Sequence, residues 1–324
     1  MEVLSFANEQ RRYKRTGMST MGKISVVMAT ADRPQMVLDC VKSFSAQVPQ
    51  DVELIVADAG LGSPVDEDAL KKLWPLSKVV RVSQKNAAVQ RNKGVCQAMG
   101  DIVIFLDDDC YVQPGWWPAI VQTFSDEKVG AVAGAVWCNP SPRFTDERGG
   151  YVNLLGLPVQ VTHRGKGAPR EVDWALTTNM AVRKSVFEAV GGFAPVYGIY
   201  DEDVDLGLKI REAGWRIVFE PDAAVYHYFL KRPRIETKKT AFRDGRNRSI
   251  LLVRNYGVSI RLIFFFLTAP LIQLFQALRH IGQSVITGFG HAVAFIAGMI
   301  VGVVEGGRNS IKNDRQKYDK KPQE

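Results

Sequence analysis

Ile102-Val103-Ile104-Phe105-Leu106-Asp107-Asp108-Asp109 is an apolar run that empties into three consecutive carboxylates. Apolar residues without alternation read as a strand buried on both faces, the form taken in parallel sheets covered by helices. Asp is common where a strand meets a turn. Three adjacent acids repel one another, however, and a plain turn gains nothing from the third. Oxygen ligands at the end of a rigid strand suit a hard divalent cation, Mg²⁺ or Mn²⁺, and such an ion commonly serves a phosphate. Cys110 follows directly, but a thiolate mismatches a hard cation, so it is read as an ordinary thiol.

Moving outward from this run, the pattern is α/β. Lys23 to Ala29 reads as a first buried strand, and Pro34 to Ala46 as a helix with proline tolerated in its first turn. Val52 to Ala57 reads as strand two, leaving through the loop Asp58 to Pro64. Lys78 to Ser83 is a third strand and Ala87 to Met99 a helix. Strands alternating with helices in this way predict a mostly parallel central sheet with right-handed crossovers. Ligands of such sheets sit outside the carboxyl ends of the strands. Thr30, Asp32 and Arg33 leave strand one, Asp58 leaves strand two and Asp107, Asp108 and Asp109 leave the later strand, so all are expected at one rim. No G-x-G-x-x-G and no G-x-x-x-x-G-K-[ST] occurs, which argues against a dinucleotide fold and a P-loop. Phosphates must then be held by metal and side chains, and Arg91 in Gln90-Arg91-Asn92-Lys93-Gly94 is a candidate because guanidinium binds phosphate oxygens bidentately.

The chain of 324 residues is 46% hydrophobic, ample for a substantial core and unlike a disordered or fibrous protein. Cys40, Cys96, Cys110 and Cys138 form no C-x-x-C pair and no secretory signal precedes the first strand, so a reducing cytosol is expected. The net charge of +8 is unevenly distributed: residues 229–324 carry 17 Lys and Arg against 6 Asp and Glu, the rest 25 against 28. A basic C-terminal third suits nucleic acid or an anionic membrane surface. The apolar content of that third decides for the membrane and against nucleic acid. Between Arg261 and Arg279 lie 17 uncharged residues broken by Pro270, and Ile281 to Val304 supplies 24 more. The second segment places Ile281, Val285, Phe289, Val293, Ile296, Ile300 and Val304 along one helical ridge, the pattern of helices lying in a membrane interface, with a spanning hairpin and a protein-facing helical pair as the alternatives. The basic residues from Lys231 to Arg261 are expected to face anionic headgroups.

The segments "ISVVMATADRP", "ELIVADAG", "QRNKGVCQAMGDIVIFLDDDC", "TTNMAVRKSVFEAVGGF" and "YDEDVDLGLKIREAGWRIVFEPDAAVYHY" together resemble successive blocks of inverting family 2 nucleotide-sugar glycosyltransferases with the GT-A fold. The resemblance runs from about Ile24 to Tyr228. It implies that Thr30, Arg33 and Asp58 contact the nucleoside and that Asp107 approaches the ribose or a metal-bound water. It further implies that Asp108 fills the variable middle of a D-x-D motif at the donor and that Asp109 holds the Mn²⁺ or Mg²⁺ bridging the diphosphate. His227 falls where relatives place a further metal ligand, and imidazole is compatible with Mn²⁺.

The second acidic cluster, Asp201-Glu202-Asp203-Val204-Asp205, supplies a different chemistry. Inverting transfer needs a base that takes the acceptor hydroxyl proton as the oxygen attacks the anomeric carbon. In the family an E-D pair precedes a helix, here expected over Leu206 to Ala213, which points to Asp203 as base and Glu202 as the residue orienting the acceptor. Asp205 is expected to cap the helix or support the pair. Trp174 to Met180 is expected on the acceptor side, with Trp174 either stacking on a sugar or filling the core and Asn179 hydrogen-bonding donor sugar or acceptor. Gly191-Gly192-Phe193 is expected to form a tight turn.

"Ala-Asp-Ala-Gly" at Asp58 departs from the hydroxyl-rich form of many relatives, which weakens the case for uridine as the base. Q-x-x-R-W of processive synthases and long multi-span bundles are missing, so transfer of a single sugar is expected. The acceptor is expected to be lipid-linked or a polysaccharide precursor, at the cytoplasmic membrane face. The alternatives are a sugar nucleotidyltransferase and a catalytically silent scaffold of the same fold. The expected organisation is a disordered leader (1–22) and a GT-A domain (23–230) divided into nucleotide-binding (23–110) and acceptor (111–230) halves. A basic linker or helix (231–258), apolar membrane-associated helices (259–306) and a charged disordered tail (307–324) follow. The stretch from Asn139 to Gly167 is expected to be an irregular excursion.

Overall fold

The computed structural model describes residues 22–138, 149–160, 167–228, 238–257, 259–279 and 285–308. The expected leader up to residue 21, most of the excursion after Asn139, the basic residues 231–237 and the tail from 309 onward lie outside the described residues.

The chain opens with β1 (Ile24–Thr30), α1 (Pro34–Phe44), β2 (Glu53–Asp58), α2 (Glu67–Leu73), β3 (Ser77–Arg81), α3 (Ala87–Gln97) and β4 (Ile102–Leu106). Every predicted element of this half is present, with ends displaced by no more than a few residues. Pro34 opens α1, and the side chains of Asp66 and Asn86 cap α2 and α3 by accepting from backbone N–H groups. The later half adds β5 (Cys110–Val112), α4 (Trp116–Thr123), β6 (Val129–Cys138), β7 (Gly149–Val152), β8 (Pro158–Gln160), β9 (Arg170–Val172), β10 (Trp174–Ala175), β11 (Asn179–Arg183), α5 (Lys184–Ala189), α6 (Glu202–Glu212) and β12 (Arg216–His227).

The main sheet has the order β3-β2-β1-β4-β11-β6-β12-β5, with β9 also paired to β12. Strands β3, β2, β1, β4, β6 and β12 run in one direction, while β11, β5 and β9 run against them. Alternate strand residues feed two cores. Val26, Met28 and Ile104 meet α1, α2 and α4, whereas Val27, Phe105, Ala133 and Met180 meet α3, α5 and α6. Gly94 lets α3 approach β1, since a Cβ there would collide with Val27.

The C-terminal part is α7 (Lys238–Tyr256), α8 (Ile260–Arg279) and α9 (Val285–Arg308). Residues 238–256 of the expected linker or helix form α7. α7 is an integral element, wedged between the catalytic domain and α9. Gly245, Gly298 and Gly302 allow the two backbones to touch, because a Cβ on any of them would strike a carbonyl oxygen of the facing helix. The arginines expected at headgroups are used internally instead. Arg248 pairs with Asp201 at 2.9 Å, Arg254 with Asp205 at 3.3 Å, and Arg246 with Glu305. The expected ridge is real in its described part: Val293, Ile296, Ile300 and Val304 are exposed, while Phe295 and Met299 are buried against α7 and α8. On α8, Ile260, Ile263, Phe264, Leu267 and Leu271 form a matching exposed stripe. Within the described residues one stretch, His291–Arg308, is long and apolar enough to cross a membrane.

Candidate active site

The three aspartates fan out from the end of β4 to three different partners. Asp107 accepts from Thr178 Oγ1 at 2.8 Å and from Arg91 Nη2 at 2.9 Å. Burial would raise its carboxyl, but Arg91 and then His227 outweigh it and hold it below the usual range. Asp108 turns inward, accepting from Thr30 Oγ1 at 2.5 Å and pairing with Arg33 at 2.8 Å. Its burial pushes the carboxyl up to about 7 despite that pairing. Asp109 faces outward and meets His227 Nε2 at 2.8 Å and Arg33 at 3.3 Å.

Asp109, Cys110 and His227 offer ligand atoms within 4.8 Å of one another. The Cys110 thiol donates to the Thr178 carbonyl oxygen, and burial pushes its pKa well up, so it stays a thiol. The carboxylate oxygen and imidazole nitrogen that remain are donors suited to Mn²⁺ or Mg²⁺.

Other expected donor contacts are engaged within the protein. Thr30 is buried and spends its hydroxyl on Asp108. Asp58 accepts from Gly60 N at 2.7 Å, from Val65 N at 2.8 Å and from Arg81, which shapes the loop after β2. Only Arg33, with 41% of its side chain exposed, reaches solvent from the expected nucleoside set. Arg91, read as a phosphate ligand, is buried and spans the two acidic clusters, holding Asp107 with one terminal nitrogen and Glu202 with the other at 3.0 Å. A guanidinium fork satisfies both carboxylates because its donors diverge in one plane.

The second cluster is folded into the first turn of α6 rather than before it. Asp201 is the N-cap residue, yet it and Tyr200 both adopt φ +69°. Two consecutive left-handed residues that are not glycine store on the order of 1–3 kcal/mol each. α7 holds them there: Asn247 Nδ2 donates to the carbonyls of Tyr197, Ile199 and Tyr200 at 3.3, 3.0 and 2.9 Å, while Arg248 grips Asp201. Asp203 is buried and, among the described residues, accepts a hydrogen bond from the Val204 N–H alone; burial, then Glu202 and Asp201, push its carboxyl well above the usual range. Glu202 is raised by burial too, even against Arg91.

Asp205 neither caps α6 nor touches the acid pair. It is wholly buried among Lys209, Arg254, Asn255 and Tyr197. Burial alone would raise it, but Lys209 and Arg254 hold it below its ordinary value.

Trp174 and Asn179, expected at the acceptor, are core residues. The Trp174 indole is 6% exposed and packs with Ala194, Tyr197, Val204, Ile250 and Leu251. Asn179 accepts from Trp116 Nε1 at 2.9 Å and donates to the carbonyls of Ala135 and Ala223 at 2.9 and 2.8 Å, which staples β11 across the bulge in β12. Its side chain has no donor left for a sugar. Gly191 and Gly192 do form a turn at positive φ, and Lys209 Nζ donates to the Gly192 carbonyl.

Three contributors were not read from the sequence. Gln90 bonds the carbonyls of Thr30 and Ala57 and so ties β1 to β2 at the rim. Thr178 orients Asp107, and Asn247 orients the loop before α6. A polar residue one position before Arg91, in the first turn of a helix that begins at the rim, was the available signal for Gln90; nothing local marks Asn247.

The model of the family "Glycosyl transferase family 2" matches residues 25–191. Glycosyltransferase AglE of Haloferax volcanii is 27% identical over 280 residues, covering 82% of this chain and 88% of the relative. The glucosyl-dolichyl phosphate glucuronosyltransferase of the same organism is 26% identical over 221 residues, 63% of this chain and 69% of the relative. The mannosyltransferase PcManGT from Pyrobaculum calidifontis, solved with GDP-Man and Mn²⁺, matches with a TM-score of 0.54 at 16% identity, covering 94% of each chain. At that identity the likeness speaks to the fold alone.

Proposed function

This chain belongs to glycosyl transferase family 2, and on that premise we propose that it is a metal-dependent inverting transferase moving one sugar to a lipid-linked acceptor at the cytoplasmic membrane face. It is a glycosyltransferase using nucleotide-sugar donors. The observation that carries the finer reading is the Arg91 bridge, which joins Asp107 of the first acidic cluster to Glu202 of the second through one guanidinium. Each cluster then has its own task in one reaction.

Asp109 and His227 would hold the cation, and Asp107 stays ionised beside them. A bound Mn²⁺ or Mg²⁺ neutralises charge on the departing diphosphate. Arg33, reaching out between Asp108 and Asp109, is placed to meet the nucleotide, with Thr30 and Asp58 forming the buried floor beneath it. Asp203 takes the proton of the acceptor hydroxyl as that oxygen bonds to the anomeric carbon; the bond from this carbon to the diphosphate oxygen breaks, and the electron pair leaves with the nucleoside diphosphate. Glu202, anchored by Arg91, orients the acceptor. Binding of UDP and GDP measured calorimetrically with Mn²⁺ should weaken about 10- to 100-fold in Asp109→Asn, the usual cost of disturbing a metal site. Unchanged affinity in that variant, or in the presence of EDTA, would remove the metal from the account.

Support for the membrane comes from the exposed apolar stripes on α8 and α9, two helices that pack against each other. A relative whose printed substrate is a glucosyl-dolichyl phosphate supports a lipid-linked acceptor. The free thiols Cys40, Cys96 and Cys110 fit a reducing compartment. The protein should float with anionic vesicles, and a Phe264→Glu/Leu267→Glu variant should stay behind. Equal flotation of both would sink this part of the reading.

A further inference from the structure

Four aromatic side chains gather on the sheet outside the machinery described above. Tyr226 on β12 lies opposite Trp137 on β6 and opposite Tyr111 on β5, so the three form one row across adjacent strands. Cross-strand partners share a face of the sheet, and Tyr228, two residues beyond Tyr226, continues the same side. Tyr111, Tyr226 and Tyr228 are 39%, 42% and 47% exposed, Trp137 is half-buried, and the Trp137 and Tyr226 rings meet edge to face at 5.2 Å. A single exposed tyrosine needs no explanation. A contiguous row of rings does.

The row lies on the side of the sheet that carries the acid pair. The preceding residues on this face, Ala135 and Ala224, enter the core shared with Phe105, Phe193 and Leu206 of α6. Arg91 stacks over Phe193 in that core and grips Glu202. The far end of the row reaches the metal corner, where the Tyr228 N–H donates to the Asp109 carbonyl at 2.8 Å. The nucleoside corner at β1 and β2 is separated from β12 by β4, β11 and β6.

We propose that Trp137, Tyr226, Tyr111 and Tyr228 form a stacking shelf for a pyranose ring of the acceptor glycan, holding it while its hydroxyl meets Asp203. Aromatic faces carry a negative quadrupole and bind the C–H face of a sugar, while the phenol hydroxyls at the rim hydrogen-bond its edge. Position on the acceptor half of the sheet favours the acceptor ring over the donor base. This rests on the transferase reading of the site.

Ligand-observed saturation-transfer NMR on the full chain with a panel of methyl pyranosides tests the shelf, beside calorimetric UDP and GDP binding with Mn²⁺. At least one pyranoside should bind, with Kd raised about fivefold to tenfold in Tyr226→Ala and nearly restored in Tyr226→Phe, which keeps the ring. Nucleotide affinity should be the same in all three proteins, which also shows that the variants are folded. The shelf is overturned if no pyranoside binds, if Tyr226→Ala binds as the wild type does, or if nucleotide affinity falls instead. Failure of the wild-type protein to bind any nucleoside diphosphate would overturn the transferase reading itself.

Discussion

Replacing Asp203 with asparagine will cut release of nucleoside diphosphate by about 10²- to 10⁴-fold, the contribution of a positioned general base, while leaving donor affinity intact. The amide keeps the shape but takes no proton. Donor affinity is spared because, among the described residues, the Asp203 carboxylate is bonded to the Val204 N–H alone, and it is Glu202 that Arg91 ties to Asp107. The raised Asp203 carboxyl adds a pH signature. The base works ionised, so the acid limb of kcat/KM should lie well above the ordinary carboxylate value of about 3.9, and it should vanish in Asp203→Asn. Near-wild-type turnover, or a limb in the ordinary carboxylate range, would remove Asp203 from the role.

Asp205→Asn should cost about 3–5 kcal/mol of stability, the price of leaving a buried ion pair without its anion. Lys209 and Arg254 are 2% and 0% exposed in their side chains, so neither can recover its charge in water. Against a total on the order of 5–15 kcal/mol this is a large fraction, and thermal denaturation should show a Tm lower by about 10 °C. The carboxyl is held below its unfolded value, so the stability it contributes is present above about pH 3.9 and lost as pH falls through the lower folded value. The variant should therefore lose part of the acid dependence of Tm. An unchanged Tm would mean that α6 and α7 are held together by apolar packing alone.

Much of the fold was legible because strand burial and helix periodicity are local properties. Ile102 to Leu106 reads directly as β4, and the aspartates that follow mark the rim. The apolar ridge through Val293, Ile296, Ile300 and Val304 was equally plain, but not which side of the helix was already covered; that follows from the contact of Gly298 and Gly302 with α7. What could not be read depends on contacts between residues distant in sequence. Arg91 meets Glu202 across 111 positions and Asp205 meets Arg254 across 49. Local chemistry therefore makes Arg91 a phosphate ligand, Asp205 a cap or support of the acid pair, and the basic residues around α7 a membrane-facing patch. Asn179 is misplaced and Trp174 left between two readings for the same reason: a bulky ring and a side-chain amide serve a core or a ligand equally well until their neighbours are known.

The most direct test of a nucleotide-sugar transferase driven by Asp203 is ³¹P NMR of the phosphorus products when the protein is incubated with Mn²⁺ and a panel of nucleotide sugars in the presence of a lipid extract. The account predicts that one donor yields nucleoside diphosphate in the wild type and almost none in Asp203→Asn. Release of pyrophosphate, absence of any product across the panel, or equal product from the two proteins would contradict it.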